Sequence, residues 1–452
     1  MEQFKKLFQA TDMTVGTPWK KIVAFTIPML LGNIAQQLYN TVDSIVVGKY
    51  VGDNALAAVG SAGPIMNLLL VLFIGISMGA SIMVAQYFGA KQREDLSYTI
   101  GNCILLTVIS SIFIMFLALV VVRPLLELLQ TPYTIIDWCT SYLKIMFLGI
   151  AGCAFYNILS GVLRGLGDAF SALVYLLVST VINIILDLLF VAKFGMGVNG
   201  VALATVIAQA VSAILCLIRL SKMKDLFDLN GKYGKNIIRL GVPSGLTQAI
   251  FSMAMIIVQS LTNSFGEMFI AANVIVMRVD GFAMLPNFSF GTAMTTYSGQ
   301  NIGAAKNDRV TKGAKQGTLI AVLTTTFITS LILIFGRQLM GIFTATTELV
   351  DLSRRMMGII AAGYIAMAVT QSLSGVMRGA GDTMTPMWIS LFTTIVVRVP
   401  VAYGIAHFTK SATFPNGRQE CIFISLLCSW LIGAIMTTIF YLRGKWKNKA
   451  LR

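Results

Sequence analysis

Apolar residues run through this chain in long blocks separated by short polar or glycine-containing segments. Blocks at about 22–47, 55–88, 100–122, 135–160, 170–192, 198–218, 237–265, 270–300, 317–336, 354–378, 386–408 and 421–442 can each cross a bilayer. Roughly 20 residues rising 1.5 Å each cover a ~30 Å hydrocarbon core. The pattern predicts about twelve transmembrane helices, without the ten-residue alternation of a membrane β-barrel. The first block differs from the others in carrying Asn33, Gln36, Gln37, Asn40 and Asp43. Gly32, Gln36, Tyr39, Asn40 and Asp43 recur at helical spacing and form one stripe. A carboxylate near mid-membrane costs about 2.5–3.5 kcal/mol on insertion scales, so the stripe faces a cavity or other polar helices, not lipid. Pro28 and Gly32 precede it, where a missing N–H and a small residue permit a helix bend.

Composition makes the class firm. Of 452 residues, 56% are hydrophobic and 12% charged, against about 25% charged in soluble domains. The chain reads as an all-α integral membrane protein. A net charge of +15 raises nucleic acid as a partner, but the positions of the basic residues argue for the bilayer instead. They gather at Lys20 and Lys21, at Lys91 and Arg93, along 219–236, at Lys306, Arg309, Lys312 and Lys315, and after Arg443. With the N-terminus inside, all of these fall on one side, as the positive-inside rule requires, so both termini are expected in the cytoplasm of a multi-pass cell-membrane protein. The first block lacks a small-residue cleavage site and is read as a mature helix. Cys103, Cys139, Cys153, Cys216, Cys421 and Cys428 lie inside predicted helices without metal-ligand spacing and read as small apolar residues.

The chain is written twice. SGVLRGLGD, from Ser160 to Asp168, returns as SGVMRGAGD from Ser374 to Asp382, an offset of 214 (374 − 160). Gln86 to Ala90 (QYFGA) matches Gln300 to Ala304 (QNIGA) at the same offset, and Ile27-Pro28 matches Val242-Pro243 one position further out. Two halves of six helices each share one membrane orientation, a parallel pseudo-symmetric repeat whose site is expected between the halves. The predicted division is a first lobe over 1–218, a charged cytoplasmic linker over 219–236 and a second lobe over 237–452. The RGLGD and RGAGD segments read as tight inter-helix turns, since no strand–loop–helix context supports phosphate binding.

The two six-helix halves, the proline-containing first helix with its Gln, Tyr and Asp, and the doubled S-G-V-x-R-G-x-G-D resemble the multidrug and toxin extrusion (MATE) family over about 20–445. The resemblance implies two lobes around a central cleft and cation-coupled export of organic compounds by alternating access, without ATP or another cofactor. In one branch the coupling site combines an Asp on the first helix, an Asn-x-x-x-Asp pair on the fifth, and flanking Asn and Thr. Asp43, Asn183, Asp187, Asn157 and Thr205 match it residue by residue.

Cost points to the same group. Ionisable residues within the spans are few: Asp43, Lys144, Asp187, Arg278, Asp280 and Arg398, with His407 near a span end. Such residues are functional by default. Asn183 and Asp187, four apart, share a helix face. Two carboxylates with neutral oxygens suit Na+, or share a proton, so H+, Na+ or both are the expected coupling ions. Arg278, Asp280 and Arg398 form a candidate polar network in the second lobe, with Asp280 facing Arg398. Candidate substrate contacts are Gln36, Tyr39, Asn40, Met66, Met253, Met284 and Phe288, because soft side chains suit a promiscuous cleft. The alternative reading is a lipid-linked-saccharide flippase of related architecture, for which a more cationic cleft is expected. An intramembrane enzyme lacks support, since neither HExxH nor a convincing nucleophile–base pair is present.

Overall fold

The computed structural model describes residues 10–128, 131–221 and 229–450, so the middle of the linker, 222–228, lies outside the described residues. The protein is 87% helical and has no strands among the described residues. Its helices are α1 (Pro18–Tyr50), α2 (Asp53–Ala90), α3 (Arg93–Leu128), α4 (Tyr133–Leu148), α5 (Ile150–Gly165), α6 (Ala169–Asp187) and α7 (Gly197–Ser221). The second half contributes α8 (Gly231–Asn263), α9 (Glu267–Gly303), α10 (Asn307–Ile334), α11 (Gly336–Gly341), α12 (Thr347–Gly379), α13 (Met384–Leu391), α14 (Val399–Phe408) and α15 (Cys421–Leu442). A π-helical turn, Leu188–Lys193, extends α6, and another, Phe392–Arg398, joins α13 to α14. Among the described residues, eleven helical segments are long and apolar enough to cross a membrane, and α4 with α5 makes a twelfth if the bent pair is one span. That fourth span differs from the single helix expected over 135–160: it bends by 54°. The break falls at Gly149, where a Cβ would lie 2.2 Å from Val206 Cγ1, so the bend comes with a close approach to α7.

The helices sort into two compact units. One comprises Met1–Asp12 and Ile27–Gly245; the other comprises Met13–Thr26 and Leu246–Arg452. The boundary falls inside α1 and inside α8, next to Pro28 and Pro243, so each unit contains the opening turns of the other's first long helix. In the first unit the start of α8 lies against α2 and α3. A Cβ on Gly79 would meet the Ile237 carbonyl at 2.2 Å, and one on Gly241 the Gly75 carbonyl at 2.3 Å. Tyr233 stacks on Tyr98 with ring centroids 5.2 Å apart, and its hydroxyl donates to Asp95. In the second unit the chain before α1 is held by α9, α10 and their joint. Met13 N–H donates to Gln300 Oε1 (2.8 Å), Lys306 Nζ donates to Thr14 O (2.9 Å), and Arg309 Nη1 donates to Gly16 O (2.6 Å).

The doubled motif builds the same joint in both units. Gly167 (φ 82°) and Gly381 (φ 94°) take the left-handed conformation that a glycine tolerates without a Cβ clash. Asp168 then caps α6, accepting from Ser171 N and Oγ at 3.0 and 2.8 Å. Asp382 accepts from Thr385 N and Oγ1 at 3.3 and 2.8 Å, the Asp-to-N3 geometry that satisfies orphan helix N–H groups. Before the turn, Gly161 packs on Ser77 and Gly375 on Gly291 at distances that exclude a side chain. These small residues let α5 approach α2 and α12 approach α9, the usual device where lipid offers no hydrophobic drive to association. The second core is aromatic, with Tyr364 against Trp430 (5.6 Å between centroids) and Phe269 against Phe423 (6.1 Å). Outward positions such as Phe116 and Val120 are exposed apolar side chains, as a lipid-facing surface requires.

Candidate functional site

The polar stripe of α1 delivers Asp43 and Tyr39 into the interior of the first unit, where α6 brings Asn183 and Asp187 and α7 brings Thr205. Asn183 and Asp187 are fully buried, and Thr205 and Tyr39 nearly so. The carboxyl groups of Asp43 and Asp187 lie within hydrogen-bonding reach of each other. Asn183 bridges them: with its amide nitrogen turned towards the acids, it donates to Asp43 Oδ1 at 2.7 Å and Asp187 Oδ2 at 3.3 Å. The opposite end of the same amide is 3.5 Å from Thr205 Oγ1. No donor reaches Asp187 Oδ1. The hydroxyls of Tyr39 and Tyr142 border the pair from α1 and α4. Tyr142 was not among the residues singled out from the sequence, because a tyrosine in an apolar block carries no spacing signal. The helix carrying Asp187 changes to a π turn at the next residue, a local widening that recurs at functional sites.

Asn157, on α5, makes its amide contacts on its own helix: it donates to Cys153 O (2.8 Å) and lies 3.4 Å from Cys153 Sγ. Of the stripe on α1, Tyr39 is buried at the acids, Gln36 is half-buried and Asn40 is exposed. Helix α1 runs unbroken through Pro28 and Gly32. Among the apolar candidates, Met66 and Met284 are buried, while Met253 and Phe288 are exposed. Met284 belongs to the second core and receives the Asn287 amide at 3.8 Å from its sulfur.

The second unit has a polar group of different character. Asp280 on α9 is hydrogen-bonded to Tyr364 on α12, and Arg398, at the end of the second π turn, faces it electrostatically without a direct ion pair. Asp280 Oδ1 and Arg398 Nε have no hydrogen-bond partner. Arg278 is exposed and joins neither residue; Lys144 and His407 are also exposed.

A donor set of two carboxylates, an amide and hydroxyls fits a hard monovalent cation or a shared proton. No cluster of three or more His, Cys, Asp or Glu side chains that would hold a transition metal is found among the described residues. The six cysteines are free.

Comparison with known proteins reaches the same repeat from another direction. The MatE family model matches the chain twice, over residues 28–189 and again over 243–404. The probable multidrug resistance protein YoeA of Bacillus subtilis is 30% identical over 406 residues, covering 87% of this chain and 88% of that protein. The probable multidrug resistance protein NorM of Thermotoga maritima is 25% identical over 447 residues, covering 96% and 94%. A crystal structure of MATE in the bent conformation superposes with a TM-score of 0.88 at 24% identity, covering 96% of both chains. An outward-facing MATE family transporter of the MOP superfamily gives 0.89, also at 24% identity. Two matches to one family model, in the two halves that the sequence repeats, place this chain in the MatE family of membrane transporters.

Proposed function

We propose that this protein exports organic compounds, many of them cationic, across the cell membrane by antiport against protons or sodium ions, with the Asp43–Asn183–Asp187 group as the coupling site. The observation that carries the proposal is one amide bridging two carboxyl groups that touch, with one acid oxygen lacking any donor. Two such acids repel when both are ionised, and a proton or Na+ between them removes that repulsion. Asn183 serves either ion: its nitrogen donates to carboxylate oxygens, and its oxygen coordinates a cation after a half-turn of the amide. Thr205 and Tyr39 supply further oxygens. On this reading the chain belongs to the branch whose acids lie in the first half. Asn157, whose amide nitrogen is held by Cys153 O, keeps an oxygen that could join the group.

Drug export follows if the empty and loaded group prefer different shapes of the protein. Only a ligand with differential affinity shifts an equilibrium, so ion and drug must oppose one another in binding. Exchange of one proton for one monovalent drug moves no net charge, and a tenfold proton gradient then supplies about 1.4 kcal/mol. A second imported cation adds roughly 2.3 kcal/mol per 100 mV. The names of the relatives as multidrug resistance proteins support export of organic compounds over saccharide flipping. The orientation with both termini cytoplasmic belongs to the same proposal and rests on the basic residues.

The test uses purified protein in vesicles and follows a fluorescent cationic drug with an imposed proton gradient, an imposed sodium gradient, or neither. Drug movement against its own gradient is expected only with an ion gradient. Equal drug flux in all three conditions overturns the antiport.

A further inference from the structure

We propose that Arg378 is the anchor of an anion-binding site inside the second unit, one that accepts the carboxylate of an organic solute or the phosphate of a lipid headgroup. Arg378 borders a small recess formed by α8, α12, α13, the π turn after it, and α15. Thr394, Ser429, Gln371, Ser374 and the Trp430 ring line it beside the arginine. No acidic side chain lines the recess, and none pairs with Arg378 among the described residues. Its Nε is buried and lacks a hydrogen-bond partner, while the residue as a whole is half-buried. A buried charge of one sign is expensive unless another group answers it. Here the wall offers neutral hydroxyls and amides, the groups that complete the shell of an anion held by a guanidinium.

The repeat supplies an internal control. Arg164 is the same motif position in the first unit, and it is satisfied: Nη1 donates to Ser160 Oγ at 3.2 Å and Nη2 to Ser77 Oγ at 3.4 Å. At the offset of 214, Ser77 becomes Gly291. The Cβ of a residue at 375 would lie 2.3 Å from the Gly291 carbonyl, so the two helices touch where the first unit has a serine hydroxyl. Arg164 therefore holds two serine hydroxyls, whereas Arg378 keeps the counterpart of one, Ser374, has lost the counterpart of the other, and faces a recess.

The experiment titrates the purified full chain, in a non-ionic detergent, with benzoate and with inorganic phosphate, reading tryptophan fluorescence. Trp430→Phe identifies the reporter. Saturable binding of at least one probe is expected, with Arg378→Gln weakening it at least tenfold and Arg378→Lys restoring part of the loss. Gly433→Leu keeps the charge and fills the recess, since a Cβ at Gly433 has ordinary clearance of 3.7 Å from Thr393; it is expected to weaken binding as strongly, and it stands in should Arg378→Gln not fold. Repeating the titration in phosphatidylglycerol nanodiscs separates the sources. Loss of benzoate binding there identifies a lipid phosphate as occupant, and unchanged binding identifies a soluble organic anion. Failure of both probes to bind in detergent overturns the site, as does an affinity within twofold of wild type in the folded variants. Because binding is read without transport, and Asp187→Asn should leave it unchanged, this result is independent of the coupling proposal.

Discussion

The two units share their turns and their glycine contacts, yet their polar interiors are opposite in sign. The first gathers two acids around one amide, while the second sets a single acid against Arg398 and leaves Arg378 facing a recess. At the repeat offset Asn183 becomes Val397 and Asp187 becomes Val401. Ser77 becomes Gly291. The comparison teaches that the duplicated scaffold depends on glycines and capping aspartates, which both halves keep. The two acids and the amide between them are kept by only one half.

The sharpest way to break this contrast is to neutralise one acid in each unit. Asp43→Asn or Asp187→Asn is expected to lower ion-driven efflux by about two orders of magnitude, some 2.7 kcal/mol, with the protein folded. Asp280→Asn is expected to stay within about threefold of wild type. Efflux measured in vesicles checks both; if Asp280→Asn is the crippled variant, the coupling site belongs in the second unit. Next in size is a packing test. Gly375→Ala drives a Cβ to 2.3 Å from a backbone oxygen, whereas Gly161→Ala meets the Ser77 hydroxyl at 2.3 Å and a backbone oxygen at the longer 2.8 Å. Overpacking costs about 1–3 kcal/mol, and Gly375→Ala should sit at the upper end, visible as the larger fall in melting temperature. Equal falls would mean that the two helix pairs are held alike. The smallest effect is the most diagnostic of coupling. If drug binding displaces one proton, drug affinity weakens as pH falls, by up to tenfold per unit through the titration of the acid pair. Equilibrium binding against pH should show that slope in wild type and in Asp280→Asn, and a flat line in Asp187→Asn.

Most of the scaffold was legible in the sequence because membranes simplify the problem: a span must be apolar and long, and Asp43 and Asp187 stood out against that background. The repeat was legible because its turns need particular residues, Gly167 and Gly381 for a left-handed backbone, Asp168 and Asp382 as caps. Rotamers were not. Nothing in the spacing of Asn157 says that its amide turns to Cys153, and nothing about Arg278 and Asp280 says that only the latter points inward. Tyr142 was invisible for the same reason, and the break at Gly149 depends on Val206 in a distant helix. Arg378 was visible as a turn residue; its lost partner emerged only once Ser77 was seen holding Arg164.

The exchanged beginnings of α1 and α8 bear on biogenesis. Residues 13–26 leave the ribosome early but complete a unit whose body starts at Leu246. Met13 is separated by 287 residues from the Gln300 side chain that holds it. At about 5–20 residues per second of synthesis, that segment waits on the order of tens of seconds for its binding place. The start of α8, in turn, must return to a bundle already laid down. Neither half of the chain, cut between the repeats, carries all the residues of one compact unit.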